Sequence, residues 1–538
     1  MEKERLPRVA YFCMEYGLDS SLKTYAGGLG ILAGDFVKGA MDSGYPIVGI
    51  GIKWKQGYTD QKIDEDGRPY DSYMNNEYAF LEDTGVTVTV NIRSRDVVCK
   101  VWKVDTFENV PVYLLDTDLP ENEDAWITGQ LYGWFGEERV AQEMVLGIGG
   151  IRALRELGSN VDVYHFNEGH ALLAGFELIK EKMNQGKTFI NALSLTKEEI
   201  VFTTHTPVVQ GNEFHPIDRL VYMGANNGLT IDQLVAIGGA PFNMTVGALN
   251  MSRKANAVSK LHAKTANQMW AHVQDCNEII GITNAIHKPT WVDESMIALA
   301  EKNEDEKLWQ QHVKNKRKLI SFIQKRTGVK LNKEKLIIGF SRRAVPYKRS
   351  DFIFQNSTVV DHLLKTNQIQ LVFSGKAHPL DDTGKRIIEK LISYAKKYPT
   401  SVVFLENYDM EIGKMLTTGA DIWLNNPRRP KEASGTSGMK AAMNGVLNVS
   451  ILDGWWAEAC IHRVNGWQIG DGFESDDELI QDEHDLQSLY KILLNEVLPT
   501  YYKDRRKWIN LMKNSIHSCK DQFDVKRMLA EYYQKLYM

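Results

Sequence analysis

A chain of 538 residues is too long for one hydrophobic core and predicts at least two domains, and 43% hydrophobic with 25% charged residues is an ordinary globular composition. Lys and Arg total 64 against 69 Asp and Glu, a net charge of −5 that excludes a general nucleic-acid binder and leaves a neutral substrate open. Cys13, Cys99, Cys276, Cys460 and Cys519 lack metal-ligand spacing and are read as reduced thiols. No run approaches a membrane span, and the start MEKERLPRVAYF lacks a signal-peptide core, so the expected location is cytoplasmic.

Along the chain, short apolar runs alternate with helical patterns, which predicts βα units and parallel sheets. Residues 9–12 and 46–52 are predicted strands, separated by a glycine-rich turn and helix over 25–41. VTVTVNIRSRDVVCKVW, residues 86–102, alternates with a period of two and predicts an antiparallel insertion with one wet face. Residues 161–166 and 200–204 then resume as buried strands. The pattern restarts with a basic amphipathic helix over 307–327, its charges expected in water. Strands follow at 335–340, 371–375, 402–405, 421–425 and 448–452, with helices near 385–398 and after residue 440 and a helical tail from 485. Two α/β sets predict two doubly wound Rossmann-like domains, residues 1–285 and 286–538, with the joint near 282–291. In such folds ligands gather beyond the carboxyl ends of the strands, here in a cleft between the domains.

Three loops are candidate anion sites. In TYAGGLGILAGD, residues 24–35, Gly27, Gly28 and Gly30 lie between a strand and a helix, where backbone N–H groups can approach a ligand closely; a tight turn is the plain alternative. FSRRAVPYKR, residues 340–349, puts Arg342, Arg343, Lys348 and Arg349 at a strand's carboxyl end with no acid inside the span; a solvated basic turn is the plain alternative. In EASGTSGMK, residues 432–440, Ser434, Thr436 and Ser437 are suited to capping the helix that follows. Lys440 then falls near the positive end of that helix, an unfavourable place for a cation unless it is covalently used or faces an anion; an ordinary surface lysine is the plain alternative. Taken bottom-up, these loops describe a phosphate-handling α/β enzyme whose reaction stays open.

Over most of its length the chain also resembles the α-glucan (glycogen/maltodextrin) phosphorylases in their short bacterial form. The resemblance runs from VAYFCMEYGL to LDGWWAEA through YAGGLG, FNEGH, TTHTP, NAVSKLH, GITNAIHKPTW, RRAVPYKR, SGKAHP and EASGTSGMKAAMNG. The last is highly specific; the glycine loop is shared with glycogen synthases. The resemblance implies a two-domain glycosyltransferase architecture of the GT-B type. It also implies pyridoxal 5′-phosphate held covalently on Lys440, with the small neighbours making room for coenzyme and sugar. The implied reaction is reversible, retaining phosphorolysis at the non-reducing end of glycogen or maltodextrin. Inorganic phosphate is the acceptor and α-D-glucose 1-phosphate the product, with the coenzyme phosphate assisting proton transfer.

By motif position, Arg343 and Lys348 are expected on the substrate phosphate, with the Gly28 amide, and Arg342, Thr436 and Ser437 near the coenzyme phosphate, with Trp291 packed nearby. Glu432, Ser434 and Gly435 are expected at the sugar 3-hydroxyl, Asn256 at the 6-hydroxyl and Tyr347 at the 2-hydroxyl. His205 is expected to contact the glucosyl unit, partly through its carbonyl, and His170 to lie in the cleft. Trp455 and Trp456 either pack or form a sugar platform. Ala344-Val345-Pro346 is apolar where animal members are charged and polar, which puts a contact from that turn in doubt. The amino-terminal regulatory segment of animal members has no counterpart, so no phosphorylation or nucleotide switch is expected there; a homo-oligomer is neither required nor excluded. The rival readings are a nucleotide-sugar glucosyltransferase like glycogen or starch synthase, which has no use for a coenzyme lysine, and a non-catalytic glucan binder.

Overall fold

Strand β1 (Val9–Phe12) has no exposed residue, and a strand covered on both faces belongs inside a parallel sheet. It lies there in the structure, a computed structural model that describes residues 5–273 and 276–538, the Gln210 side chain excepted. The sheet also contains β2 (Ile47–Ile52), β3 (Glu82–Ile92), β4 (Arg95–Val104), β5 (Val112–Asp116), β6 (Val163–Asn167), β7 (Ile200–Thr203), β8 (Lys254–Ala257) and β9 (Ile280–Gly281). Their order is β9-β8-β7-β6-β1-β2-β5-β4-β3. Every neighbouring pair from β9 to β5 is parallel, and β5, β4 and β3 finish the edge antiparallel. Chain order reverses between β1 and β6, the switch point at which a doubly wound sheet opens a crevice. The alternating stretch at 86–102 lies in the β3–β4 hairpin, which is buried on one face and wet on the other.

The second sheet is all parallel: β10 (Leu336–Ser341), β11 (Ile369–Ser374), β12 (Val402–Leu405), β13 (Ile422–Asn425), β14 (Leu447–Ile451) and β15 (Gly466–Ile469). Its order, β12-β11-β10-β13-β14-β15, is that of a Rossmann sheet, with the switch point between β10 and β13. Both loops rich in candidate residues, 342–349 and 426–440, leave carboxyl ends at that point.

Contacts divide the chain into two units: the chain up to Thr59 with Tyr73–Thr283 and Met528–Met538, and Asp60–Ser72 with Asn284–Arg527. Two segments therefore cross the 285/286 division drawn from the sequence. Residues 60–72 form a hairpin whose Gln61 exchanges two bonds with the Ala377 backbone, at 3.1 and 2.8 Å, and whose Asp71 pairs with Lys385 at 2.6 Å. The last residues return to the first unit, where the Tyr537 hydroxyl meets His165 Nδ1 at 2.7 Å. Neither tie has a sequence signature, because both depend on partners hundreds of residues away.

The helix Asp305–Thr327 departs from its expectation in one respect. Lys316 is 1% exposed and His312 fully buried, so its charges do not all face water. All five cysteines are unpaired, and burial pushes the Cys13, Cys99 and Cys519 thiols up to about 12, which leaves them unreactive. Among the described residues no helix is long and apolar enough to cross a membrane.

Candidate active site

At the carboxyl end of β10 the chain leaves the sheet through Arg342 and Arg343. Arg342 Nη2 and Lys348 Nζ each lie 2.5 Å from one oxygen, Glu432 Oε2. Arg342 Nη1 also donates to Ser437 Oγ at 3.2 Å, and Ser437 stands in the first turn of the helix Thr436–Met443 that carries Lys440. The basic loop and the small-residue loop are thus one cluster. Burial pushes the Glu432 carboxyl up, but Arg342 and Lys348 outweigh it and hold the group below the ordinary carboxylate range.

The four cations of the basic loop divide by partner. Arg349 turns inward, donating to the carbonyls of Asn426 and Pro427 and pairing with Asp482 at 2.7 Å and Asp485 at 2.8 Å, so it is structural. Arg342 and Lys348 face Glu432. Arg343 is exposed and, among the described residues, makes no hydrogen bond or ion pair, which leaves its fork open to an anion. Tyr347 is half-buried beneath Lys348, whose Nζ lies 4.9 Å from the ring centroid.

Lys440 is 5% exposed, and its Nζ lies 3.5 Å from the centroid of the Trp291 ring, itself 1% exposed. Asn444 fixes both from behind, its Nδ2 donating to the carbonyls of Trp291 (3.0 Å) and Lys440 (2.9 Å) while its Oδ1 accepts from Asp293 N (2.9 Å). A shielded amine against an aromatic face is not an ordinary surface lysine. The expected hydroxyl cap of its helix is absent: Gly435, at φ 94°, is the N-cap, and no side chain closes it. The left-handed φ is what favours glycine at this position, and a Cβ there would stand 3.3 Å from Arg342 Nη2 and 3.4 Å from Glu432 Oε1. Thr436 is half-buried beside it. Arg342 Nε and Ser434 Oγ are buried without a partner among the described residues. An amine to anchor a carbonyl group, beside cations and hydroxyls suited to a phosphate, fits pyridoxal phosphate.

In the first unit, Glu15 and Asn167 stand at the switch point, at the carboxyl ends of β1 and β6. Glu15 caps the glycine loop: its Oε2 accepts from Ala26 N (2.6 Å) and Gly27 N (3.0 Å), and its Oε1 from the Tyr132 hydroxyl (2.9 Å). A Cβ on Gly30 would fall 2.6 Å from Glu15 Oε2, which explains a glycine at that position. Gly28 begins the helix Gly28–Ser43 exposed, with no atom within 4 Å of where its Cβ would be. His205 Nε2 bonds Asn167 Oδ1 at 2.6 Å, and Asn167 Nδ2 donates to Cys13 Sγ, which assigns the imidazole proton to Nε2. Glu168, at φ 76°, takes the His205 amide at 2.8 Å and the Thr206 hydroxyl at 3.0 Å; such a backbone in a non-glycine residue is strained. Burial pushes His205 down to about 3 and His170 to about 4, so both are neutral at pH 7 and act as hydrogen-bonding groups rather than charges.

Asn256 is fully buried and its amide is engaged: Oδ1 accepts from Thr203 Oγ1 (2.6 Å), and Nδ2 donates to the Tyr532 hydroxyl (3.0 Å) and the Ala257 carbonyl (3.1 Å). Trp455 and Trp456, 1% and 0% exposed, are core residues and offer no sugar platform. Sequence reasoning also missed an acidic group next to His170. The ligand atoms of Glu143, Glu213 and His215 lie within 4.8 Å of one another. Burial and then Glu213 push Glu143 well up, while Arg139 holds Glu213 low despite its burial, at about 2. Arg139 Nη1, 3.4 Å from Glu213, supplies the positive charge there. Glu15 and Asp453 were missed too, although each follows a parallel strand at its ligand-facing end.

Residues 251–466 match the family model for carbohydrate phosphorylases. The maltodextrin phosphorylase of Thermococcus litoralis is 39% identical over 98% of this chain and 70% of its own length. An uncharacterized protein of Methanocaldococcus jannaschii is 38% identical over 98% of this chain and 99% of its own length. The glycogen phosphorylase of Aquifex aeolicus is 34% identical, covering 98% and 86% of the two chains.

Proposed function

The chain belongs to the carbohydrate phosphorylase family, and from that premise we propose that it is a cytoplasmic α-1,4-glucan phosphorylase that converts a glucan and inorganic phosphate into α-D-glucose 1-phosphate. The observation that carries this reading is the shielded Lys440 amine, one helix turn from the Ser437 hydroxyl that Arg342 binds. A glucosyltransferase using a nucleotide sugar has no use for such a lysine. Pyridoxal phosphate would be anchored by Lys440 and held by Arg342, Thr436, Ser437 and Trp291. Bound there, it supplies a phosphate group that exchanges a proton near neutral pH.

The chain's own residues supply positioning and charge. Arg343 and Lys348 bind the substrate phosphate and offset the repulsion between anions, which in a low-dielectric site amounts to several kcal/mol. Glu432, Ser434, Gly435 and Tyr347 orient the sugar hydroxyls. Neutral His205 and His170 contact the sugar without adding a positive charge to compete with an oxocarbenium-like centre. Asn256, whose amide is already engaged, acts on the 6-hydroxyl through the remaining lone pair of Oδ1.

The test is spectroscopic and chemical together. The purified protein should show a near-ultraviolet coenzyme band and release glucose 1-phosphate from maltoheptaose and phosphate. Lys440→Ala should lose both. A colourless protein with full activity would overturn the assignment.

A further inference from the structure

The proposed reaction leaves Asp453 without a task. It follows β14 at its ligand-facing end and is 1% exposed. Its Oδ2 accepts from Glu432 N at 2.9 Å and its Oδ1 from Gly454 N at 2.8 Å, and among the described residues no side-chain cation touches it. The charged groups that act on it are Glu432, which disfavours its ionised form, and Lys348, which favours it. Arg342 is paired with Glu432, and Arg429, which binds the neighbouring Leu452 carbonyl, is paired with Glu474 at 2.8 Å. Burial and then Glu432 push the Asp453 carboxyl up to about 7.

Glu432 stays ionised because two cations share its Oε2. An anion that draws Lys348 toward itself weakens that compensation. A second negative charge then stands buried beside Asp453, and two carboxylates in such a place do not both remain ionised.

We propose that Glu432 and Asp453 form a proton-accepting carboxyl pair, so that an anion taking over Lys348 is bound together with a proton that Asp453 receives. The proton comes from solvent; one O–H bond forms on Asp453, and no bond in the protein breaks. The inference rests on the anion site proposed above. It makes anion affinity fall as pH rises through neutrality, since a ligand that binds with a proton binds more weakly where protons are scarce.

Sulfate is the suitable probe, because phosphate itself titrates near neutrality. Sulfate is titrated calorimetrically into the holoenzyme at pH 7.5 in buffers of different ionisation enthalpy. The expected result is uptake of about half a proton per sulfate, with affinity falling about threefold or more between pH 6.5 and 8.5. Asp453→Asn should bring the uptake close to zero and flatten the pH dependence. Glu432→Gln should do the same, and decides the matter if the first variant fails to fold. Sulfate that binds without proton uptake, or uptake unchanged in a folded variant, overturns the pair while leaving the anion site standing. No sulfate binding at all overturns the pair and the anion site together.

Discussion

At the scale of single residues, Arg343 and Lys348 share an assigned ligand but differ in what else they hold. Arg343 is exposed and has no partner among the described residues, so removing it should cost anion binding and little more. Lys348 is bound to Glu432, and removing it also frees a carboxylate assigned to the sugar. A charge-assisted contact contributes about 1.5–3 kcal/mol, so Arg343→Ala should raise the phosphate KM about 10- to 100-fold. The maltoheptaose KM at saturating phosphate should stay within about twofold. Lys348→Ala should disturb both constants. Initial-rate kinetics against each substrate separate the two, and an unchanged phosphate KM in Arg343→Ala would remove that residue from the anion site. The cationic loop was legible as a pattern of charge at a strand end. The partition within it was not, because Glu432, Asp482 and Asp485 lie 84 to 136 residues away from their partners.

At the scale of elements, β1, β2, β6, β7 and β10–β14 were legible because each is a short apolar run set between stretches of helical periodicity, whereas β5, β8, β9 and β15 were not foreseen, β8 (Lys254–Ala257) and β9 (Ile280–Gly281) being too polar or too short to form such a run. What was hidden is a helix charge that serves a strand. Asp421 precedes β13 and is 1% exposed; its Oδ2 accepts from Lys316 Nζ (2.6 Å) and Ile337 N (2.7 Å), and its Oδ1 contacts His312 Nε2 (2.9 Å). Lys316 also donates to the Lys335 carbonyl (2.6 Å) and the Tyr501 hydroxyl (2.8 Å), so the helix Asp305–Thr327 is pinned to the start of β10 and β13. Burial pushes the Asp421 carboxyl up, but Lys316 and His312 outweigh it, and its folded pKa is lowered. Its contribution to stability is therefore present above the ordinary carboxylate range and lost as pH falls through the lowered value. Lys316→Met leaves that carboxylate buried without its main cation and should cost about 3–5 kcal/mol at pH 7. Denaturant unfolding should show the deficit shrinking toward pH 4, where protonation relieves the orphaned acid. A loss below about 1 kcal/mol at pH 7 would mean that water or His312 compensates the charge.

For the whole molecule, the chain is not partitioned by one cut, and its last residues belong to its first sheet. Tyr537 and Tyr532 close a buried hydrogen-bond chain in that unit: Tyr537 to His165 (2.7 Å), His165 to Thr203 (2.7 Å), Thr203 to Asn256 (2.6 Å) and Asn256 to Tyr532 (3.0 Å). Tyr533 stacks on Tyr45 with centroids 4.4 Å apart, and Lys254 Nζ reaches the Lys535 and Met538 carbonyls at 2.9 and 2.7 Å. A helical tail was legible from periodicity, but its destination was not, since a run of tyrosines does not say which core receives it. Deleting Met528–Met538 uncovers β6, β7 and β8 and leaves His165, pushed down to about 3 by burial, without the Tyr537 hydroxyl. Each lost buried hydrogen bond costs about 1–3 kcal/mol, so the truncated chain should show faster amide exchange in β6, β7 and β8 and lower activity. Exchange in β10–β15 should stay as in the full chain, because residues 528–538 belong to the other unit. Tyr532→Phe is the finer probe: it removes one hydroxyl from Asn256 and should raise the maltoheptaose KM with little change in the phosphate KM. Loss of protection spread equally over both sheets would contradict this placement of the tail.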